Sequence, residues 1–156
     1  MRIIDFTGQE NIRSEGHTSK GDQPKWKQAG NWYKADHMGY EALSEIIVSR
    51  LLAWSDADDF VSYQPVRIHY NGKVVSGCSS RDFMRKGEML IPFERLHRAY
   101  EGRGLAQTLT RVDSPTARIA YTVDFVERVT NLTGVGAYLT SILELDCLTL
   151  NEDRHT

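Results

Sequence analysis

A polar segment near the start of the chain has the residue types of a phosphate-binding loop. The segment 18–25 combines small residues with the hydroxyl of Ser19 and the charges of Lys20 and Lys25. Backbone N–H groups in such a loop approach an anion closely, and lysine side chains add electrostatic attraction. Many polar loops that contain glycine only connect two elements, and this one does not match the Walker A pattern. The phosphate-binding hypothesis therefore needs a further cation outside this loop.

Lys34 is the candidate for that further cation. It follows Tyr33 and precedes Ala35 in a predicted strand, where a lysine is poorly placed unless an anion meets it. Glu41 and Glu45 then lie four residues apart on one face of a predicted helix, where two carboxylates repel unless a cation intervenes. The spacing leaves open which glutamate faces the lysine. The alternative is an exposed lysine beside a solvated acidic helix face.

A third candidate group lies in the last residues of the sequence, where Asp153 and His155 flank Arg154. They directly follow an apolar helical pattern. A carboxylate in this position can accept a proton from a substrate hydroxyl while its polar neighbours hold the loop in place. A short polar tail that is simply solvated is the alternative interpretation.

The composition indicates a globular chain and argues against several classes of function. Of its 156 residues, 40% are hydrophobic and 26% are charged, which suits one folded core. The formal net charge of -2 gives no electrostatic argument for binding to nucleic acid or to an anionic membrane. Cys78 and Cys147 form neither a disulfide framework nor a zinc pattern, and no secretion signal or bilayer-spanning apolar run is present. We therefore expect a cytoplasmic protein without a membrane partner.

Apolar periodicity predicts the elements that must position Lys34 and the two glutamates. They are strands at 2–6 and 31–36 separated by a polar loop, a helix from Gly39 to Trp54, and a hairpin of strands 63–70 and 73–78. The pair Asn71-Gly72 supplies the positive φ that a two-residue type I′ turn requires. Helical spacing predicts that one face of the helix packs on a core through Leu43, Ile47, Leu51 and Trp54, with Ile46 beside them.

The second half of the sequence predicts helices. A short helix is expected at 92–100, before a glycine-containing break at 102–104. Asp113-Ser114-Pro115 is a typical helix start, with a capping side chain and a proline at the first helical position, and this helix continues to about Leu132. The residues 134–136 break it, and another helix runs towards Leu148.

These segments, in this order, resemble the HipA-like serine/threonine kinases, which are bacterial toxin kinases with a protein-kinase-like fold. Four segments carry the resemblance and together cover most of the chain, apart from residues 84–112. They are a nucleotide loop, Ser-Lys-Gly-Asp-Gln-Pro-Lys; a lysine strand and glutamate helix, Trp-Tyr-Lys-Ala-Asp and Gly-Tyr-Glu-Ala-Leu-Ser-Glu; a hinge strand, Val-Ser-Gly-Cys-Ser-Ser-Arg-Asp-Phe; and a catalytic loop, Asn-Glu-Asp-Arg-His-Thr.

The resemblance implies an α+β fold and a transferase activity. Residues 1–83 would form a protein-kinase-like small lobe with an antiparallel sheet and one helix, and residues 84–156 the truncated start of a helical catalytic lobe. The implied activity is ATP-dependent phosphoryl transfer to a protein Ser or Thr hydroxyl, with ATP and Mg2+ as cofactors. The implied partners are a protein substrate or a cognate antitoxin.

The resemblance also implies a role for each matched residue. Ser19, Gly21, Gln23 and Lys25 would hold phosphates, Lys34 would bind them with Glu41 behind it, and Cys78, Ser79 and Ser80 would border the adenine. Asp153 would be the catalytic base. His155 would support its loop by hydrogen bonding, and no metal ligand is assigned among these residues.

Two departures from the family support a second hypothesis. The asparagine of the catalytic loop, a magnesium ligand in the family, would lie past Thr156, so we expect the chain to be an incomplete fragment. The resemblance also leads us to expect that this sequence lacks the small domain that many members of the family carry before the nucleotide loop. The alternative is a catalytically inactive, kinase-like regulatory or antitoxin-type binding module. In either case, apolar helix faces that later segments would cover are expected to favour self-association.

Overall fold

The structure is a computed structural model that describes residues 2–12 and 23–150 of the chain. The chain is α+β, and its described part contains a curled five-stranded mixed sheet and five helices. It divides into two compact units, the first ending at Gly87 and the second beginning at Glu88. The first unit carries the sheet and one helix, and the second unit is helical.

The first unit contains β1 (Ile3–Asp5), β2 (Lys25–Gln28), β3 (Asn31–Ala35), α1 (Glu41–Leu52), β4 (Gln64–Tyr70) and β5 (Lys73–Arg81). The strand order is β1-β4-β5-β3-β2. Strand β1 pairs with β4 in parallel, with Ile4 opposite Ile68, whereas the other pairs are antiparallel. The expected antiparallel sheet therefore contains one parallel pair, at this edge. Apolar alternation predicts that a segment is a strand, but it carries no information about its direction relative to a distant partner.

Strand β2 replaces the end of the predicted loop. Trp26 is only 3% exposed in it, and the hairpin to β3 turns at Ala29 and Gly30, whose φ angles are 49° and 74°. Two consecutive positive φ angles are typical of a type I′ turn. Because the residues around Trp26 are polar, the sequence does not show the apolar alternation that would predict this strand. The other hairpin is confirmed, because Asn71 and Gly72 have φ angles of 49° and 71° between β4 and β5.

The apolar face of the sheet, here called the core face, lies inside the curl. The ring of Phe6, just after β1, stacks on that of Trp26 in β2, with the centroids 4.7 Å apart. Since β1 and β2 are the two edge strands, this contact brings the edges of the sheet together. The buried residues of this core are Ile4, Phe6, Trp26, Ala35, Val66 and Ile68.

Helix α1 packs with a different face from the predicted one. Its outward side carries Leu43, which is 57% exposed, together with Ile47 and Leu51, and Trp54 just beyond the end of the helix is 85% exposed. Its buried residues are the small Ala42 and Ser49. The predicted apolar face is therefore wrong. The helix approaches the polar side of the sheet closely, and small side chains allow that approach better than leucine would.

The second unit contains α2 (Phe93–Glu101), α3 (Leu105–Leu109), α4 (Pro115–Thr130) and α5 (Val135–Thr149). The predicted start of α4 is confirmed, because the Ser114 hydroxyl accepts a hydrogen bond of 3.1 Å from the Ala117 N–H. Helix α3 was not predicted. Its first turn receives support from the Glu94 carboxylate, which accepts a hydrogen bond of 2.9 Å from the Ala106 N–H. Such a distant capping contact leaves no local signature in the sequence.

Phe125, Val126 and Val135 form a second buried cluster where α4 meets α5. Much of α5 is nevertheless exposed, including Tyr138 and Leu148. Within residues 2–12 and 23–150, no helix has both the length and the apolar character needed to cross a bilayer.

His97 joins α2 to the loop that follows it and to α4, through one hydrogen bond to each. It is fully buried; its Nδ1 lies 2.8 Å from the Arg103 carbonyl oxygen and its Nε2 lies 2.8 Å from the Tyr121 hydroxyl. Because Nδ1–H must donate to the carbonyl, Nε2 accepts from the hydroxyl in the neutral ring.

We expect His97→Leu to lower the free energy of unfolding by about 2 kcal/mol, because the Arg103 carbonyl and the Tyr121 hydroxyl lose their partner in two partly buried hydrogen bonds. Urea denaturation measures the change. Arg98→Leu is the matched control on the same helix, because Arg98 is exposed and its ion pair with Glu94 contributes less than about 0.5 kcal/mol. Equal stabilities for the two variants would contradict the two stabilising hydrogen bonds that we assign to His97.

Candidate functional site

The candidate site is built on the face of the sheet opposite the core face. Lys34 in β3 pairs with Lys25 in β2 on one side and with Cys78 in β5 on the other. Directly paired residues project to the same face of a sheet, so these three side chains lie side by side. We call this side the lysine face. Two lysines in direct register repel each other and therefore favour an anionic partner.

The ammonium group of Lys34 has two partners in the described part of the chain. It donates one hydrogen bond to Glu45 Oε1 of α1, and another of 3.0 Å to the hydroxyl of Tyr63. Its side chain is 21% exposed and that of Glu45 is 31% exposed, so the ion pair is largely shielded from water. Burial alone would lower the pKa of Lys34, but the charge of Glu45 and the contact with Tyr63 outweigh it and raise the pKa. Lys34 is therefore a fixed cation at physiological pH.

Glu41 does not contact Lys34; Glu45 takes the place that the resemblance assigns to Glu41. The Glu41 carboxylate instead accepts hydrogen bonds from the backbone of the segment before α1, with the shortest, 2.7 Å, from the Met38 N–H. The other donors are the N–H groups of His37, Gly39 and Tyr40. Glu41 therefore holds the start of the helix, and the sequence could not distinguish the two glutamates because both lie on one helix face.

These contacts give Glu41 a measurable effect on the pH dependence of stability. Burial raises the pKa of Glu41, but hydrogen bonds from backbone N–H groups, with that of Met38 the largest, dominate and bring the net pKa below 4.5. A carboxyl with a lowered pKa in the folded state stabilises the fold above the unfolded pKa and loses that contribution as the pH falls.

We expect Glu41→Gln to be about 1 kcal/mol less stable than the wild type at pH 7, and the difference to shrink below the unfolded pKa of Glu41. Urea denaturation at neutral and acidic pH measures both values. Glu144→Gln, at an exposed position of α5, should follow the wild type throughout. A constant difference between Glu41→Gln and the wild type at every pH would contradict the role of the carboxylate.

Tyr63 is a site residue that the sequence did not reveal. It directly precedes β4, and its backbone N–H donates a hydrogen bond of 3.2 Å to the hydroxyl of Ser49, which is buried on α1. Ser49 and Glu45 lie one helical turn apart, so α1 positions both partners of Lys34. Burial raises the pKa of the Tyr63 phenol, which stays neutral and can accept the lysine hydrogen bond. A tyrosine at the start of a strand carries no local sign of this contact.

Gln23 and Lys25 extend the lysine face. The Ala35 N–H donates a hydrogen bond of 3.0 Å to the Pro24 carbonyl, which continues the pairing of β2 with β3 towards Gln23. By strand alternation, Gln23 lies on the same face as Lys25. The Nε2 of Gln23 is buried and has no hydrogen-bond partner among residues 2–12 and 23–150. Burial and the charge of Lys34 lower the pKa of Lys25.

The three residues predicted to border an adenine lie on both faces of β5. Cys78 pairs with Lys34 and Ser80 with Trp32, whereas Ser79 between them pairs with Tyr33 of the core face. The Cys78 side chain is completely buried, and burial raises the pKa of its thiol to about 12. This thiol is therefore unreactive at neutral pH. The structure brings Cys78 and Ser80, but not Ser79, to the lysine face.

Four predicted site residues lie outside the described residues: Ser19, Gly21, Asp153 and His155. Within residues 2–12 and 23–150, no group of three or more His, Cys, Asp and Glu side chains could hold a metal ion. The described site thus consists of Gln23, Lys25, Lys34, Glu45, Tyr63, Cys78 and Ser80.

The comparisons with known proteins found no similar protein. No protein-family model matches the chain, and neither a curated protein nor a solved structure shows significant similarity to it. The fold and the site define an α+β protein in which a strand lysine forms an ion pair with a helix glutamate.

Proposed function

We propose that this protein binds ATP and takes part in phosphoryl transfer to a protein Ser or Thr hydroxyl, as its resemblance to HipA-like kinases implies. The observation that carries the proposal is the ion pair between Lys34 of β3 and Glu45 of α1. In protein kinases, a strand lysine binds the phosphates and a helix glutamate holds that lysine in position. The first unit is then a kinase-like small lobe.

The residues of the lysine face fit a triphosphate. Lys25 and Lys34 lie in direct register, and their repulsion decreases when an anion binds between them. The buried Gln23 Nε2 has no acceptor in the part of the chain that the structure describes, and a phosphate oxygen would provide one. All three groups are donors or cations, the chemistry that phosphate oxygens require.

Each residue then has a defined task. Bound Mg-ATP supplies the transferable phosphoryl group and a metal ion that neutralises part of its charge. Lys34 attracts the phosphates and remains charged because Glu45 and Tyr63 raise its pKa. Gln23 and Lys25 orient the phosphate oxygens. Asp153 remains the predicted base that accepts the proton of the substrate hydroxyl. His155 remains the residue that is predicted to support the loop of Asp153.

Nucleotide binding and phosphoryl transfer test the proposal separately. Isothermal titration should show that the chain binds Mg-ATP, and that inorganic triphosphate competes with it. Labelled phosphate from ATP should appear on protein, and Asp153→Ala should abolish labelling while it retains ATP binding. Absence of ATP binding would refute the proposed function, whereas unchanged labelling in Asp153→Ala would refute only the role of Asp153.

The exposed outer side of α1 favours a second candidate function, a kinase-like regulatory or antitoxin-type binding module. Exposed apolar side chains on this helix are Leu43, Ile47 and Leu51, and Trp54 follows just beyond its end. Exposed apolar patches commonly contact other proteins. This candidate predicts that Mg-ATP does not stabilise the chain in a thermal-shift experiment. It also predicts association, with itself or with an antitoxin, that Ile47→Glu abolishes. Light scattering measures self-association.

A further inference from the structure

The phenol of Tyr63 has a place in the site that no kinase motif in the sequence accounts for. An ammonium group carries three N–H donors. In Lys34, one donor meets Glu45 and a second meets the Tyr63 hydroxyl at 3.0 Å. Two fixed acceptors determine the direction of the third N–H, because the donors of an ammonium group are tetrahedral. With Glu45 alone, the group could rotate about the axis of a single hydrogen bond.

We propose that Tyr63 is a positioning residue, which together with Glu45 directs the remaining N–H of Lys34 towards the phosphates of a bound nucleotide. This inference rests on the proposed function. The Tyr63 backbone is itself held by the hydroxyl of Ser49, which donates in turn to the Ile46 carbonyl at 3.0 Å. Both acceptors of Lys34 are therefore connected to one rigid helix, and a fixed acceptor positions a donor better than a mobile one.

Tyr63→Phe is the informative variant, since it keeps the ring and the backbone contact with Ser49 and removes only the hydroxyl. We expect its affinity for Mg-ATP to fall about tenfold, the loss of one hydrogen bond to a charged group. Its affinity for adenosine, which has no phosphates, should not change. Tyr70→Phe is the matched control, because Tyr70 packs against Trp26 on the core face and does not face Lys34.

A second measurement follows Lys34 without any nucleotide. Nuclear magnetic resonance of the Lys34 ammonium should show slow hydrogen exchange in the wild type and in Tyr70→Phe, and several-fold faster exchange in Tyr63→Phe. Faster exchange together with weaker ATP binding supports the inference. If the wild type binds ATP and Tyr63→Phe binds it equally well, the inference fails while the proposed function stands. If the wild type binds no ATP, the proposed function fails, and the inference fails with it.

Discussion

Replacement of Gly77 by alanine should lower the free energy of unfolding of the first unit by about 3 kcal/mol. Gly77 lies in β5 on the core face, opposite Ala35 on one side and Val66 on the other. A Cβ atom added there would lie 2.5 Å from the Lys34 carbonyl oxygen and 2.7 Å from Ile68 Cδ1. The first contact is with backbone of a paired strand, which cannot move without disturbing the sheet.

Ser76→Ala is the matched control for this prediction. Ser76 is the preceding residue of β5 and is exposed on the opposite face, so its change should alter stability by less than about 0.5 kcal/mol. Chemical denaturation with a probe of the first unit, such as the fluorescence of buried Trp26, measures both variants. If Gly77→Ala were as stable as Ser76→Ala, β3 and β5 could not be as close as the structure shows. The same substitution should also disturb the candidate site, because the carbonyl oxygen that the added Cβ would contact belongs to Lys34.

Replacement of Lys34 by methionine should have two separable effects. The fold should lose about 2 kcal/mol, because Glu45 is left largely shielded from water without its cation. Affinity for Mg-ATP should fall about a hundredfold, because the charged hydrogen-bond donor to the phosphates is lost. Urea denaturation measures the first effect and isothermal titration measures the second.

The double variant Lys34→Met with Glu45→Met separates the two effects. Removing both charges together should restore the free energy of unfolding to within about 1 kcal/mol of the wild type, since apolar side chains often replace a buried ion pair without cost. Its ATP affinity should remain as low as that of the single variant. Recovery of ATP binding in the double variant would show that Lys34 has a purely structural role.

Lys27→Met provides a control for the loss of a strand lysine in general. Lys27 lies on β2 and forms an ion pair of 2.5 Å with Asp82, but its side chain is 40% exposed. Asp82 also accepts hydrogen bonds from the Trp32 indole and the Met84 N–H, so it keeps two donors after the change. We expect a loss of less than about 1 kcal/mol and an unchanged affinity for Mg-ATP.

The sequence predicted the elements whose signals are local. The pair Asn71-Gly72 predicted the hairpin of β4 and β5 because few residues adopt the positive φ of its turn. The pair Ser114-Pro115 predicted the start of α4 because a hydroxyl cap and a proline favour the first helical turn. Strand β2 and helix α3 were missed, since a buried tryptophan and a distant glutamate hold them in place.

Within the site, the sequence by itself determined that Lys34 lies in a strand beside aromatic residues and that two glutamates follow on one helix face. Only the tertiary structure decided that Glu45 meets the lysine, that Glu41 holds the helix start, and that Tyr63 completes the contact. The physical reason is the packing of α1. Helical periodicity predicts which residues share a face, but the rotation of a helix on a sheet depends on which side chains permit the closest approach. Here the small Ala42 and Ser49 face the sheet, and the larger apolar residues face away from it.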